Sequence, residues 1–258
     1  MSTALITGAS AGIGKAFAEQ LAARGTNLVL VARSEDKLQE IASDLKNKHQ
    51  IQVDVIVKDL TEANAAQFVF DITDSQGLTI DVLINNAGFG DYGEFSSRDG
   101  EKQIKMIQLN ILSLVDLTHK FLPLMRINRA GTIINISSIA AFQPMPYLSV
   151  YAASKAFVLN FSEALWAENR DYGVKVLVVC PGPTETNFFN QANFPESFTS
   201  KTSSISAPDE VVKDTLAALE TNKQTIVNGG FVNNLITNLP RFLPRETIVG
   251  ILEKQFKS

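Results

Sequence analysis

The chain alternates between short, uniformly apolar runs and longer stretches in which apolar positions recur every three or four residues. The runs Ala4 to Thr7, Leu28 to Ala32, Ile51 to Val57, Val82 to Ile84, Thr132 to Ile136 and Val174 to Val179 predict strands. Most lack the polar alternation of a strand with one wet face, so they suit a parallel sheet covered by helices on both sides. Between them, Leu38, Ile41, Ala42 and Leu45 keep helical spacing, with Ser34 placed to cap the first turn. A further helix is predicted over Ala152 to Arg170, with Phe157, Phe161, Leu165 and Trp166 on or near one face. Strand and helix repeated about six times imply right-handed crossovers and a doubly wound α/β fold. Only Pro181 to Pro208, rich in Ser, Thr, Asn and Phe, reads as a long, irregular, mobile connection.

Composition narrows this picture. A length of 258 residues fits one large α/β domain, and 45% hydrophobic against 19% charged residues excludes a disordered or disulfide-stapled chain. A net charge of -4 gives no general attraction to phosphate backbones, so no nucleic-acid partner is expected. No basic leader precedes the first strand and no run of about 18 apolar residues occurs, so neither a signal peptide nor an integral membrane segment is expected, and the location expected is cytoplasmic. The single cysteine, Cys180, cannot form an internal disulfide and reads as a small buried residue; with only His49 and His119 beside it, no metal site is expected.

In an open parallel sheet ligands bind beyond the carboxyl ends of the strands, so the residues just after each strand carry the chemistry. After the first comes Thr7-Gly8-Ala9-Ser10-Ala11-Gly12-Ile13-Gly14, leading into a helix near Ile13. This is either an ordinary tight turn or a pyrophosphate cradle, in which glycines admit the ligand to the backbone and the helix N-terminus attracts its charge. Arg33, after the second strand, is placed to pair with a ribose 2′-phosphate, which favours NADP(H) over NAD(H). Glu35 and Asp36 nearby could serve a ribose hydroxyl instead, and Arg33 also reads as a solvated charge. Asp59, after the third strand, suits either an adenine amino group or, with Thr61, the start of a helix. Asn85-Asn86-Ala87-Gly88, after the fourth, can tie neighbouring strands through side-chain amides and leave room for a flat ring.

Thirteen positions after Ser138, Tyr151 opens a helix that carries Lys155 one turn on. That spacing puts both side chains on one face, roughly 6 Å apart along the axis. Lowering a tyrosine pKa from near 10 toward neutrality requires roughly 4 kcal/mol of phenolate stabilisation. One ammonium at about 4 to 5 Å supplies on the order of 3 to 4 kcal/mol at an effective dielectric near 20. The expectation is a depressed Tyr151 that exchanges a proton while Ser138 holds the substrate oxygen. Taken alone, the pair also reads as an exposed i, i+4 contact.

Together, Thr7 to Gly14, Asp59, Asn85 to Gly88, Asn110, Ser138, Tyr151-x-x-x-Lys155 and Pro181-Gly182 through Thr186 resemble the short-chain dehydrogenase/reductase family over nearly the whole chain. The resemblance implies a single Rossmann domain over residues 1–258, with about seven strands in the order 3-2-1-4-5-6-7, acting on a small-molecule ketone or secondary alcohol. It implies a catalytic tetrad of Asn110, Ser138, Tyr151 and Lys155. Cofactor contacts are implied for Gly8, Ser10, Ala11, Gly12, Ile13, Gly14, Arg33, Asp59, Leu60, Asn86, Ala87 and Gly88. Tyr151, Lys155, Pro181, Gly182, Thr184 and Thr186 complete that set. It also implies a substrate flap at about 183–208, containing Phe188, Phe189, Phe194 and Phe198, and a homodimer or homotetramer through the helices around Asn110 and Tyr151. The flap aromatics suit an apolar substrate portion, or packing on the body of the protein. A C-terminal apolar segment at about 231–256, with Phe231, Leu235, Ile236, Leu239, Phe242 and Leu243, resembles the tail of reductases acting on fatty-acyl or steroid-like ketones and equally fits a subunit interface or a weak membrane contact. The alternative to an enzyme is a dinucleotide-sensing or scaffold protein without chemistry.

Overall fold

The computed structural model describes residues 2–195 and 205–257; Phe198 and the side chain of Phe231 lie outside the described residues. Strands β1 (Thr3–Thr7), β2 (Asn27–Ala32), β3 (Val53–Val57), β4 (Val82–Asn85), β5 (Gly131–Ile136), β6 (Val174–Cys180) and β7 (Thr225–Val227) form one sheet in the order 3-2-1-4-5-6-7. Every pairing is parallel. The expected Rossmann topology is therefore present. β7 has only three half-buried residues, too short for a pattern, and stands at the sheet edge, where short strands resist mispairing. β3 begins two residues later than expected because Gln50 ends the preceding helix in the left-handed conformation and Ile51 turns into the core.

The uniform apolarity of the strands has a direct structural outcome. Ala4, Ile6, Leu28, Leu30, Ile134 and Leu177 face one layer, packed by α1 (Gly12–Ala22), α2 (Glu35–His49) and α8 (Pro208–Glu220) through Phe17, Leu38 and Val211. The alternate residues Leu5, Val29, Leu83, Ile133 and Val176 face the other layer. There α3 (Ala65–Ser75), α5 (Ser113–Ile127) and α6 (Ser149–Asn169) supply Val69, Phe121 and Leu165. Ser34 occupies the N-cap position of α2, but its side chain makes no capping bond; Glu35 and Asp36 instead meet the positive end of the helix dipole. On α6 the buried stripe runs through Tyr151, Lys155, Val158, Ser162 and Leu165. Phe157, expected near that packed face, is 40% exposed and stacks on Phe161. Among the described residues no helix is long and apolar enough to cross a membrane.

β1 and β4 are neighbours, and the order of connection reverses between them, which opens a crevice at their carboxyl ends. Polar side chains brace its floor. Thr7 Oγ1 accepts from the backbone N–H groups of Asn86 (2.9 Å) and Ala87 (3.0 Å), while Asn86 Nδ2 donates to the Thr7 carbonyl at 2.9 Å. Asn85 Nδ2 donates to Asn135 Oδ1 at 2.9 Å, and Asn135 Nδ2 to Ser162 Oγ at 2.9 Å, so an amide chain ties β4 to β5 and α6. The expected tying of strands by the paired asparagines is thus observed. Replacing Thr7 with Val keeps its shape but strands two N–H groups; urea unfolding should show a loss of about 2 kcal/mol or more.

Candidate active site

The loop from Gly8 to Gly14 follows β1 and turns into α1 at Gly12. Gly8 and Gly12 adopt positive φ (67° and 54°), where a side chain would be strained. A methyl group at Gly14 would lie 2.4 Å from the Gly8 carbonyl oxygen, so helix and loop are in van der Waals contact there. No acidic residue occupies the first turn of α1, and Ser10, Ala11 and Ile13 line an open helix N-terminus. This glycine-bearing turn at a helix N-terminus fits a pyrophosphate.

Arg33 extends from the end of β2 with 76% of its side chain exposed, and its Nη1 lies 3.6 Å from Asp59 Oδ2. Asp59 also accepts from the backbone N–H and the hydroxyl of Thr61. Burial works to raise the Asp59 carboxyl, but these bonds and Arg33 outweigh it and hold the group below the usual range. Thr61 therefore belongs to a turn fixed by Asp59, while α3 begins only at Ala65. Leu60 is buried in the core.

Tyr151, Ser138 and Lys155 converge where β5 and α6 meet. Ser138 Oγ accepts from Ala140 N–H at 3.1 Å and lies beside the Tyr151 hydroxyl, whose anion it favours. Lys155 Nζ lies 5.8 Å from the centre of the Tyr151 ring and donates to the Ile136 carbonyl at 2.8 Å. Behind it, Asn110 is 1% exposed and sits in a single π-helical turn, Gln108–Leu112, between α4 (Gly100–Ile107) and α5. Its Nδ2 donates to Ser154 Oγ and to the Phe89 carbonyl, each at 3.0 Å, and its Oδ1 accepts from Phe89 N–H at 3.1 Å. A side chain at Gly88 would meet both Asn110 Oδ1 (2.9 Å) and Lys155 Nζ (3.4 Å), which ties the Asn86-Ala87-Gly88 loop to this group.

The expected depression of Tyr151 is reversed. Burial pushes its hydroxyl up to about 12, against the hydrogen bond with Ser138, because a phenolate in this apolar surround loses its hydration. Burial likewise lowers Lys155 to about 8. Cys180, 0% exposed, is pushed up to about 12 by burial and stays a thiol. Among the described residues no cluster could hold a metal ion.

Pro181 and Gly182 follow β6, and the Pro181 carbonyl accepts from Ile139 N–H beside Ser138. Thr184 is buried and donates to the Gly182 carbonyl at 3.0 Å, whereas a methyl at Gly12 would lie 2.9 Å from Thr186 Cγ2, so Thr186 roofs the cradle. Within the expected irregular connection, α7 (Phe188–Gln191) sets the Phe188 ring 5.2 Å from the Tyr151 ring. Tyr92, Met106, Leu148 and Tyr151 form one apolar cluster with Ile248 and Leu252 of α10 (Arg245–Phe256), and Phe89, Met145, Phe194 and Leu243 pack on it. The C-terminal segment thus divides. Leu243 and α10 join this wall, while Leu235, Leu239 and Phe242, from α9 (Gly230–Asn238) onward, are exposed. Sequence reasoning missed Ser154, Tyr92 and Tyr147. Tyr147 adopts φ 65°, a rare conformation for a bulky residue, held by stacking on Tyr92 and by Gly93 N–H donating to its carbonyl. For Ser154 the signal was adjacency to Lys155; for Tyr92 and Tyr147 none was available, since their contact spans 55 residues of chain.

The sequence matches the short chain dehydrogenase family over residues 2–196. It is 36% identical to a very-long-chain 3-oxoacyl-CoA reductase of Anas platyrhynchos, covering 98% of this chain and 80% of the relative. It is 37% identical to the 17-beta-hydroxysteroid dehydrogenase type 3 of Rattus norvegicus, again over 98% and 80%. The fold superposes on a short-chain dehydrogenase from Sphingobium yanoikuyae solved with NADPH, with a TM-score of 0.82 and 32% identity over 88% of this chain and 87% of that one.

Lys155 titrates near pH 8 when folded, against about 10.5 when unfolded. Between those values the unfolded chain binds more protons, so this group makes stability rise with pH, by up to about 1.4 kcal/mol per pH unit. Denaturant titrations from pH 8 to 10 should therefore give a more positive slope for the native chain than for Lys155→Met.

Proposed function

The chain belongs to the short-chain dehydrogenase family, and from that membership we propose that it is an NADP(H)-dependent oxidoreductase reducing the ketone of a bulky apolar substrate of the 3-oxoacyl or steroid kind. The observation that carries this reading is the convergence of Ser138, Tyr151 and Lys155 beneath an aromatic wall, at the mouth of a glycine-bearing cradle. Gly8 to Gly14 would hold the dinucleotide pyrophosphate, Arg33 its 2′-phosphate and Asp59 its adenine. Lys155 would hold the nicotinamide ribose, and Thr184 or Thr186 the nicotinamide amide. When bound, the dinucleotide supplies the hydride.

The chain's own residues manage the proton. Ser138 orients the carbonyl oxygen by donating a hydrogen bond, and Tyr151 gives that oxygen its proton. A hydroxyl raised to about 12 is fully protonated at neutral pH, so Tyr151 starts in the form that reduction needs. The phenolate left behind faces Lys155, which at about 8 is mostly charged at pH 7. Lys155 Nζ lies 5.8 Å from the centre of that ring, so its positive charge opposes the cost of burial. Asn110 acts through Ser154 and Phe89 to position the loop and helix around the lysine.

The apolar wall of Tyr92, Phe188, Phe194 and Leu243 supports a substrate with a large hydrocarbon portion. Exposed Ile104, Leu112 and Phe157, on the helices around Asn110 and Tyr151, support a homodimer or homotetramer. The lone cysteine supports a reducing, cytoplasmic setting.

Tyr151→Phe should lower kcat for a bulky ketone by about three orders of magnitude while leaving the NADPH Kd, read by fluorescence, within about twofold. Near-normal turnover would discard the mechanism, and a wild-type chain that binds NADPH but reduces nothing in a panel of acyl thioesters, steroids, sugars and small ketones would favour a sensor. Arg33→Asp should weaken NADPH at least about tenfold more than NADH, the loss expected of a charge-assisted pair.

A further inference from the structure

Between β4 and α4 lies a charged cluster that the reaction itself does not use. The Asp91 side chain is wholly buried. It accepts from Arg98 Nε and Nη2 (2.7 Å each), Lys102 Nζ (2.6 Å), Gln103 Nε2 (2.8 Å) and Asn193 Nδ2 (3.0 Å). The first four come from the same stretch of chain, on α4 and its approach. The last comes from 102 residues away, on the turn that ends α7.

Arg98 and Lys102 already outnumber the single carboxylate, so its burial is compensated without Asn193. A carboxylate offers about four lone-pair sites, and five donors saturate it, which makes Asp91 a rigid post. What Asn193 adds is attachment. Two backbone-directed contacts reinforce the same junction: Tyr92 N–H donates to the Ala192 carbonyl at 2.7 Å, and Lys102 Nζ reaches the Gln191 carbonyl at 3.5 Å. Asn193 has φ 58°, a left-handed conformation that asparagine tolerates and glycine would also accept, though glycine brings no amide. One residue before Asp91, a side chain at Gly90 would meet Phe188 Cζ at 2.7 Å and Tyr151 Cδ2 at 3.4 Å. The post, the flap helix and the reacting tyrosine are thus in one contact chain.

We propose that Asp91 and Asn193 form a latch that fixes α7, and with it Phe188, against Tyr151, so that both are positioning residues for reduction of bulky ketones. The proposal rests on the reading of Tyr151 as proton donor. It makes Phe188 the surface on which the apolar part of the substrate lies while its carbonyl reaches Ser138.

The decisive variant is Asn193→Gly, which keeps the left-handed turn and deletes the amide from an exposed position. Amide hydrogen exchange over residues 188–195 should quicken about tenfold with Tm unchanged. KM for a bulky apolar ketone should rise about tenfold with kcat within twofold, while KM for a small ketone stays as in the wild type. Asp91→Asn should do the same if it folds; if it does not, Asn193→Gly decides. Unchanged exchange over 188–195, or an equal rise in KM for both ketones, would overturn the latch. A wild-type chain that reduces no ketone would sink the functional reading instead, and the exchange comparison would still decide whether the latch exists.

Discussion

A buried ammonium must be solvated by the protein if water is kept away, and the site is organised around that requirement at Lys155. The Ile136 carbonyl, at the end of β5, accepts a hydrogen bond from it, which fixes the side chain at the edge of the sheet. α6 must then lie where it does, with Tyr151 one turn earlier on the same face and Ser138 beside it at the strand's end. The loop after β4 closes on the same point through Gly88, where no side chain would fit between Asn110 and the ammonium. Strand ends, helix axis and loop path are therefore set by one charge that has nowhere else to go.

Burial also explains how an apolar wall and proton chemistry coexist. The rings of the wall strip water from Tyr151 and keep its hydroxyl protonated, whereas Ser138 favours its anion. The wall thus favours the neutral phenol, and the Ser138 hydroxyl favours the phenolate. Phe188 belongs to the first set, which makes the placement of its short helix a chemical matter as well as a steric one.

Much of this was legible in the chain because the physics is local. A strand buried on both faces has to be apolar at every position, so six strands were visible as runs. A backbone that must approach a ligand needs glycine, so Gly8, Gly12 and Gly14 stood out. Two groups on one helix face need a spacing of four, which marked Tyr151 and Lys155. The rest depends on contacts that no local pattern encodes. β7 is three residues whose identity as a strand comes from β6. Asn110 could be singled out only through the family resemblance, because its partners, Phe89 and Ser154, lie 21 and 44 positions away. The direction of the Tyr151 shift was misjudged because spacing reveals the neighbouring charge but not the rings that exclude water. Asp91 was invisible for the same reason: its donors are local, but their meaning comes from Asn193.

The π turn at Gln108–Leu112 has one further effect. An extra residue in a single turn offsets the rest of the helix by about 100° around the axis. Before it, Met106 points into the aromatic cluster with Tyr92 and Tyr151; after it, Leu117 and Phe121 point into the layer beneath the sheet. One continuous rod therefore bears on two cores like a crankshaft with staggered throws. A one-residue deletion there would put the two journals out of phase, even though Ser138, Tyr151 and Lys155 all remained in the sequence.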